Sequence, residues 1–163
     1  MTDSARDHLA LGIEPPGSRD AQACREAYFA ELARRFEGGF DPALGKAARD
    51  EDMVAPTGAF LVARLGGRPI GCGGFTRLDA ATAEIKRMWV SEAARGRGIA
   101  RTLLRELERL ATAAGYERVR LDTNRALVQA HALYRSEGYA DVARYNDNPY
   151  AHLFFEKRLR GLP

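Results

Sequence analysis

Residues 95–100, Arg95-Gly96-Arg97-Gly98-Ile99-Ala100, set two arginines and two glycines directly ahead of a helical pattern. Ala100, Leu103, Leu104, Leu107, Leu110, Ala111 and Ala114 recur at three- and four-residue steps, the period of a helix that buries one face. The run 85–90 precedes the loop, which therefore occupies a strand–turn–helix junction. Glycines let the backbone turn tightly and approach a ligand closely. The first N–H groups of the helix lack internal partners, and with the positive end of the helix dipole they form a site for an anion. Arg95 and Arg97 add formal positive charge, which suits a phosphate-bearing ligand; an ordinary solvated turn is the other reading of the same spacing. Neither G-x-G-x-x-G nor G-x-x-x-x-G-K-[ST] occurs, so neither the dinucleotide fingerprint nor the P-loop is present.

Other reactive residue types are sparse. Cys24 falls on a helix face and Cys72 in a strand, and both read as small buried fillers. His8, His131 and His152 are scattered without ligand spacing, so no metal is expected.

The elements that must position the loop follow from punctuation and periodicity. A first strand over 9–14 ends at Pro15-Pro16-Gly17, after a loose leader over 1–8. Ser18 caps a helix whose face is Ala21, Cys24, Tyr28, Leu32 and Phe36, stopped by Gly38-Gly39. An irregular stretch reaches about residue 58, with a short helix expected over 46–53. Strands follow at 59–65, 69–78 and 83–90, the first two joined at Gly66-Gly67, a favoured hairpin turn. Gly71, Gly73 and Gly74 invite a bulge or a close backbone approach, while Lys86 and Arg87 break alternation in the next strand. After the loop and its helix, closed by Gly115, come a strand at 119–122 and a helix with Leu127, Ala130, Leu133 and Tyr134 on one face. Gly138 ends that helix, and strands at 139–143 and 152–158 flank the turn 146–149.

The 163 residues are expected to form one domain over 1–163, of α/β class. The strand–helix–strand unit over 84–122 makes the fourth and fifth strands parallel neighbours with a right-handed crossover, and the earlier hairpins antiparallel. A mixed sheet with helices on both faces is the architecture these elements imply.

Three segments resemble the GNAT superfamily of N-acetyltransferases, in family order. AEIKRMWV at 83–90 is similar to the family's fourth strand. Arg95-x-x-Gly98-x-Ala100 resembles its acetyl-CoA pyrophosphate loop, Gln/Arg-x-x-Gly-x-Gly/Ala. AHALYRSEGY at 130–139 is similar to its A-x-x-L-Y-x-x-x-G-[FY] segment. The resemblance implies a GNAT-like fold: a central mixed, mostly antiparallel twisted sheet whose fourth and fifth strands splay apart. It also implies acetyl-CoA as co-substrate and an amine as acceptor. The pantetheine arm would run along Met88, Trp89 and Val90, and the N–H groups of Arg95, Gly96, Arg97, Gly98, Ile99 and Ala100 would hold the pyrophosphate. Many members carry Asn three residues before the alanine of the third segment; here it is Leu127, and Asn124 and Gln129 are the polar candidates nearby. Tyr134 matches the family tyrosine that meets the CoA sulfur, with a core aromatic as the alternative. Glu84 matches a position where some members carry a general base, with a surface charge as the alternative. Phe40, Asp41 and Tyr145 are candidates for the acceptor site, where an Asp-Pro turn is the competing reading of Asp41. Trp89 reads as core, cofactor wall or dimer surface, and Tyr28 as core or site.

The totals bound the partners. Lys and Arg number 25 against 22 Asp and Glu, a net charge of +3. No basic stripe implies nucleic acid. No apolar run approaches a membrane span, and no apolar signal core opens the chain, so cytoplasm is the expected compartment. The partner expected is a small-molecule or peptide amine. Leu153-Phe154-Phe155 could pair with a second copy as an exposed edge, giving a homodimer, or lie under the helices. The function expected is amine acetylation in a ternary complex, and the alternative is a non-catalytic acyl-CoA sensor on the same fold.

Overall fold

The computed structural model describes residues 8–45 and 48–160. The elements run β1 (Leu9–Ile13), α1 (Arg19–Arg35), β2 (Ala59–Leu65), β3 (Arg68–Arg77), β4 (Thr82–Val90), α2 (Ile99–Ala113), β5 (Arg118–Thr123), α3 (Val128–Ser136), β6 (Ala140–Asp141) and β7 (Leu153–Arg158). Apart from His8, the expected leader lies outside the described residues, as do Lys46 and Ala47 of the expected short helix. The rest of that helix is a single 3-10 turn at Asp50–Asp52.

Local chemistry accounts for the boundaries. Ser18 Oγ accepts the Ala21 N–H at 3.2 Å and starts α1. Gly66 and Gly67 take φ of 57° and 82°, the left-handed pair that a two-residue hairpin needs. Gly115 and Gly138, at φ 97° and 92°, end α2 and α3.

All the strands join one sheet in the order β1-β2-β3-β4-β5-β7-β6. Neighbours are antiparallel except β4 and β5, which are parallel. Their ladder covers only Thr82, Ala83 and Glu84 opposite Arg118, Val119 and Arg120; beyond it the strands splay. α1 covers one face, packing Ala21 and Cys24 on Phe60, Val62 and Cys72. α2 covers the other, packing Leu103, Leu104 and Leu107 with Leu61, Phe75, Ile85 and Val119. Tyr134 and Phe155 join that second cluster.

The final strands differ from the edge reading. β7 lies between β5 and β6, and Phe154 and Phe155 are 4% and 0% exposed. The apolar run is interior sheet, and the two-residue β6 is the edge. The ground offered for a homodimer is thereby removed.

The broken alternation in β4 is a bulge. Cys72 pairs with Trp89 and Gly74 with Lys86, so β4 carries one extra residue across this step. Arg87 sits there with φ +58°. The glycines opposite serve close approach: a Cβ on Gly73 would lie 2.6 Å from Met88 Sδ, and one on Gly74 would lie 2.8 Å from the Ala59 carbonyl oxygen. β3's own irregularity falls at Ile70, one residue before its first glycine.

Candidate functional site

Where β4 and β5 part, two cavities meet. Tyr28, Met88, Leu127, Ala130 and Tyr134 line both. The larger, of about 280 Å³, runs from this opening along Trp89 and Val90 to the loop at Arg95, Gly96 and Gly98 and the start of α2 at Ile99 and Ala100. Gln129 of α3 and Glu31 of α1 also border it. The smaller, of about 130 Å³, lies toward α1, walled by Phe29, Phe36, Phe40 and Tyr150 and floored by Lys86, Arg87 and Asp122.

The larger cavity has the donor set of an anion site. Gly96 and Gly98 hold φ of 83° and 75°, and a Cβ on either would meet nothing within 4 Å. Gly98 caps α2, whose first internal bond is Thr102 N–H to the Gly98 carbonyl at 3.1 Å. The N–H groups before it have no partner within the helix. Past Glu84, the β4 edge toward β5 has no ladder partner, which leaves main-chain groups for an extended ligand. The buried Trp89 Nε1–H lacks a hydrogen-bond partner among the described residues. A long ligand with a phosphorylated end and an amide-bearing arm, such as acetyl-CoA, fits this surface.

Arg95 does not reach free into that cavity. Its Nη2 donates to both Glu31 carboxylate oxygens at 2.6 and 2.8 Å, and its Nε to the Val90 carbonyl at 3.0 Å. Glu31, on α1, also meets Arg35 Nη1 at 3.3 Å. The pair fastens the loop to α1 and to the end of β4. Arg97 is exposed on the loop.

At the junction, Tyr134 is 6% exposed, with Tyr139 and Phe155 at ring-centroid distances of 5.7 and 5.9 Å. Its hydroxyl has no hydrogen bond among the described residues. Burial first, and the Asp122 charge second, push its pKa above the ordinary phenol range. Tyr28 is raised in the same sense, burial again foremost. Tyr134 thus stays protonated and able to donate.

The remaining sequence candidates separate. Phe40 lines the smaller cavity. Asn124 borders it as well, but its side chain builds a turn: Nδ2 donates to the Tyr150 carbonyl at 2.8 Å and Oδ1 accepts the Ala126 N–H at 2.9 Å. Asp41 Oδ1 accepts the Ala43 N–H at 3.0 Å in an Asx turn on the exposed surface. Glu84 and Tyr145 find each other, the phenol donating to the carboxylate at 2.6 Å, and Lys86 Nζ lies 2.7 Å from the other oxygen. Neither Glu84 nor Tyr145 lines either of these two cavities. Glu84 belongs to the paired part of the ladder, opposite Arg120, so its side chain is packed where the strands are still joined.

Sequence reasoning passed over Glu31, Asp122 and Leu127's place at the junction. Glu31 and Asp122 belong to no motif that marks them in the sequence. Among the described residues no group of His, Cys, Asp and Glu is placed to hold a metal ion, and no helix is long and apolar enough to cross a membrane.

The sequence matches the acetyltransferase (GNAT) family over residues 25–139. It is similar to an IAA acetyltransferase of Azospirillum brasilense, 37% identical over 130 residues that cover 77% of this chain and 84% of that protein. It is also similar to the N-alpha-acetyltransferase RimI of Mycobacterium tuberculosis, 38% identical over 127 residues, covering 76% and 74%. Among solved structures, a GNAT superfamily phosphinothricin acetyltransferase from Sinorhizobium meliloti, in complex with acetyl-CoA, superposes with a TM-score of 0.69 at 21% identity, covering 93% of this chain and 88% of that one.

Proposed function

Because the chain belongs to the acetyltransferase (GNAT) family and is an acyltransferase, we propose that it moves the acetyl group of acetyl-CoA directly to a primary amine of a small molecule or peptide within a ternary complex. The observation that carries this reading is the meeting of two cavities at Tyr134, through the opening that the splayed strands leave. A thioester at that opening is reached from one side by its own arm and from the other by an acceptor. Met88, Trp89 and Val90 border the arm, and the main chain of 95–100 with the start of α2 takes the pyrophosphate. Tyr134 donates a proton to the departing sulfur. Gln129 borders the arm, whereas Asn124 supports the turn ahead of α3.

Direct transfer is favoured by the position of the thiols. Cys24 and Cys72 are buried between α1 and the sheet and line neither cavity, so no sulfur nucleophile stands at the junction. The two similar proteins are named for different acceptors, and their names do not choose between a small molecule and a peptide amine.

Thiol release from acetyl-CoA, measured against amines, amino acids, polyamines, aminoglycosides and short peptides, tests the reading. Release with one class, and initial-rate lines that intersect when both substrates are varied, are the expected results. Parallel lines would replace direct transfer with a covalent intermediate. Binding of acetyl-CoA with no release by any acceptor would assign acyl-CoA sensing instead.

A further inference from the structure

We propose that the acceptor is a cationic amine on an apolar or aromatic body, with no carboxylate beside the amine, and that Asp122 receives its ammonium group. The inference rests on the acetyl-transfer reading and names the acceptor class for the same site.

Asp122 is the α1-face residue of β5 that follows Arg120, the last residue paired with β4. It is therefore on the open part of the strand, facing the smaller cavity. Its carboxylate accepts from Asn146 Nδ2 at 2.6 Å and Asn148 Nδ2 at 3.4 Å. Both donors are neutral, so the negative charge is held in place without being cancelled. The nearby cations are engaged elsewhere. Lys86 Nζ lies 2.7 Å from Glu84, and Arg120 Nε donates to Glu156 at 2.7 Å. Arg87 is ion-paired with Asp50 at 3.0 Å and its Nη2 donates to the Ala48 carbonyl at 2.8 Å, although its Nε has no hydrogen-bond partner among the described residues. A carboxylate in a partly desolvated recess gains most from a ligand that brings the missing positive charge.

The opposite wall sets the rest of the ligand. The rings of Phe29, Phe36, Phe40 and Tyr150 form a contiguous cluster, with centroid separations of 5.4, 5.7, 5.7 and 4.9 Å. Aromatic faces attract a cation and shelter an apolar body. A carboxylate on the amine-bearing carbon would instead be placed beside Asp122, a like-charge contact that rejects the ligand. The Asp122 charge contributes to the rise of both Tyr28 and Tyr134, after burial, so its field reaches the junction.

One proton leaves the ammonium for water while Asp122 keeps the nitrogen in place. The freed nitrogen lone pair forms the C–N bond as the C–S bond breaks. Tyr134 protonates the sulfur, and the second proton lost by the nitrogen restores the phenol. Ammonium and acetyl-CoA thus give acetamide, CoA thiol and one proton in solution.

The test uses the full chain with acetyl-CoA, phenethylamine and phenylalanine, read by thiol release. The expected kcat/KM for phenethylamine exceeds that for phenylalanine by about 100-fold, the scale of a like-charge contact. Asp122→Asn should lower kcat/KM for phenethylamine by about 100-fold and narrow the gap between the two compounds, with the Kd for acetyl-CoA by calorimetry unchanged. Phenylalanine used as well as phenethylamine by the wild-type chain overturns the proposal, and this comparison decides even if the variant fails to fold. A folded Asp122→Asn chain with wild-type kcat/KM also overturns it. If acetyl-CoA binds but neither amine releases thiol, the acceptor class is wrong. If acetyl-CoA does not bind, the acetyl-transfer reading falls and takes this one with it.

Discussion

Tyr134 sits where α3 turns its apolar face to the sheet, and its ring packing fixes where the hydroxyl points. Burial holds its proton on, so the phenol is a donor through about pH 10, where an ordinary tyrosine is half ionised. Tyr134→Phe keeps the packing and removes the donor. It should lower kcat by about 100-fold while leaving the Kd for acetyl-CoA in place, and the wild-type rate should show no loss up to about pH 10 attributable to this group. A variant with unchanged kcat would make Tyr134 a core aromatic alone. This residue was legible because its neighbours in sequence carry the pattern with it. Glu31 was not, because its partner Arg95 lies 64 positions away and nothing local distinguishes it from the other charges of α1. Glu84 and Tyr145, 61 positions apart, show the converse: each looked like a separate site residue, and in the fold they satisfy one another.

Among the elements, β3 is the most tightly confined. A Cβ on Gly74 would lie 2.8 Å from a backbone oxygen and 2.9 Å from the Phe60 ring, neither of which yields easily. Gly74→Ala should destabilise the chain by about 1–3 kcal/mol, read as a lower urea midpoint. Gly17→Ala, with nothing within 4 Å, should leave the midpoint nearly unchanged. Helix α2 is tied to the end of α3 by Glu137, which Arg105 Nε meets at 2.9 Å and Arg101 Nε at 2.7 Å. Arg105 foremost, then Arg101, hold the Glu137 carboxyl below its ordinary range. A lowered carboxyl pKa stabilises the fold above the unfolded value of about 4.3, and that contribution disappears as pH falls through the folded value. Urea midpoints should therefore fall on acidification below about pH 4.3, and Glu137→Gln should flatten that limb. Helix faces and hairpin turns were readable because period and turn residues are local signals. The bulge was visible only as a broken alternation, since one extra residue acquires meaning from the strand opposite.

At the scale of the molecule, the order of elements followed from sequence, and so did the single parallel pair, because a strand–helix–strand crossover leaves few alternatives. The position of β7 did not follow. Its apolar run is equally consistent with an edge and with a central strand, and only pairing with β5 and β6 decides. One sheet carrying every strand should unfold in one cooperative transition; two separate transitions would divide the chain into independent units. A ligand that touches β4, the loop and α3 together stabilises all of them. Acetyl-CoA at 100 times its Kd should add about 2.7 kcal/mol, a rise in Tm of about 5–11 °C for a chain of this size. An unshifted melt would count against binding at this surface.

The extra residue at Arg87 also makes the site depend on a length. Before it, Ile85 points toward α2; after it, Val90 points there and Trp89 turns toward α1. In a strand of this length without the bulge, the odd step from Ile85 to Val90 would invert everything downstream, driving the indole under α2 and taking Met88 from the junction. Removing Arg87 removes the extra residue and the bulge together, restores an even step and keeps those faces. Related chains that keep the site should therefore carry either the bulge or a strand one residue shorter here, while an extra residue without a bulge would not be tolerated.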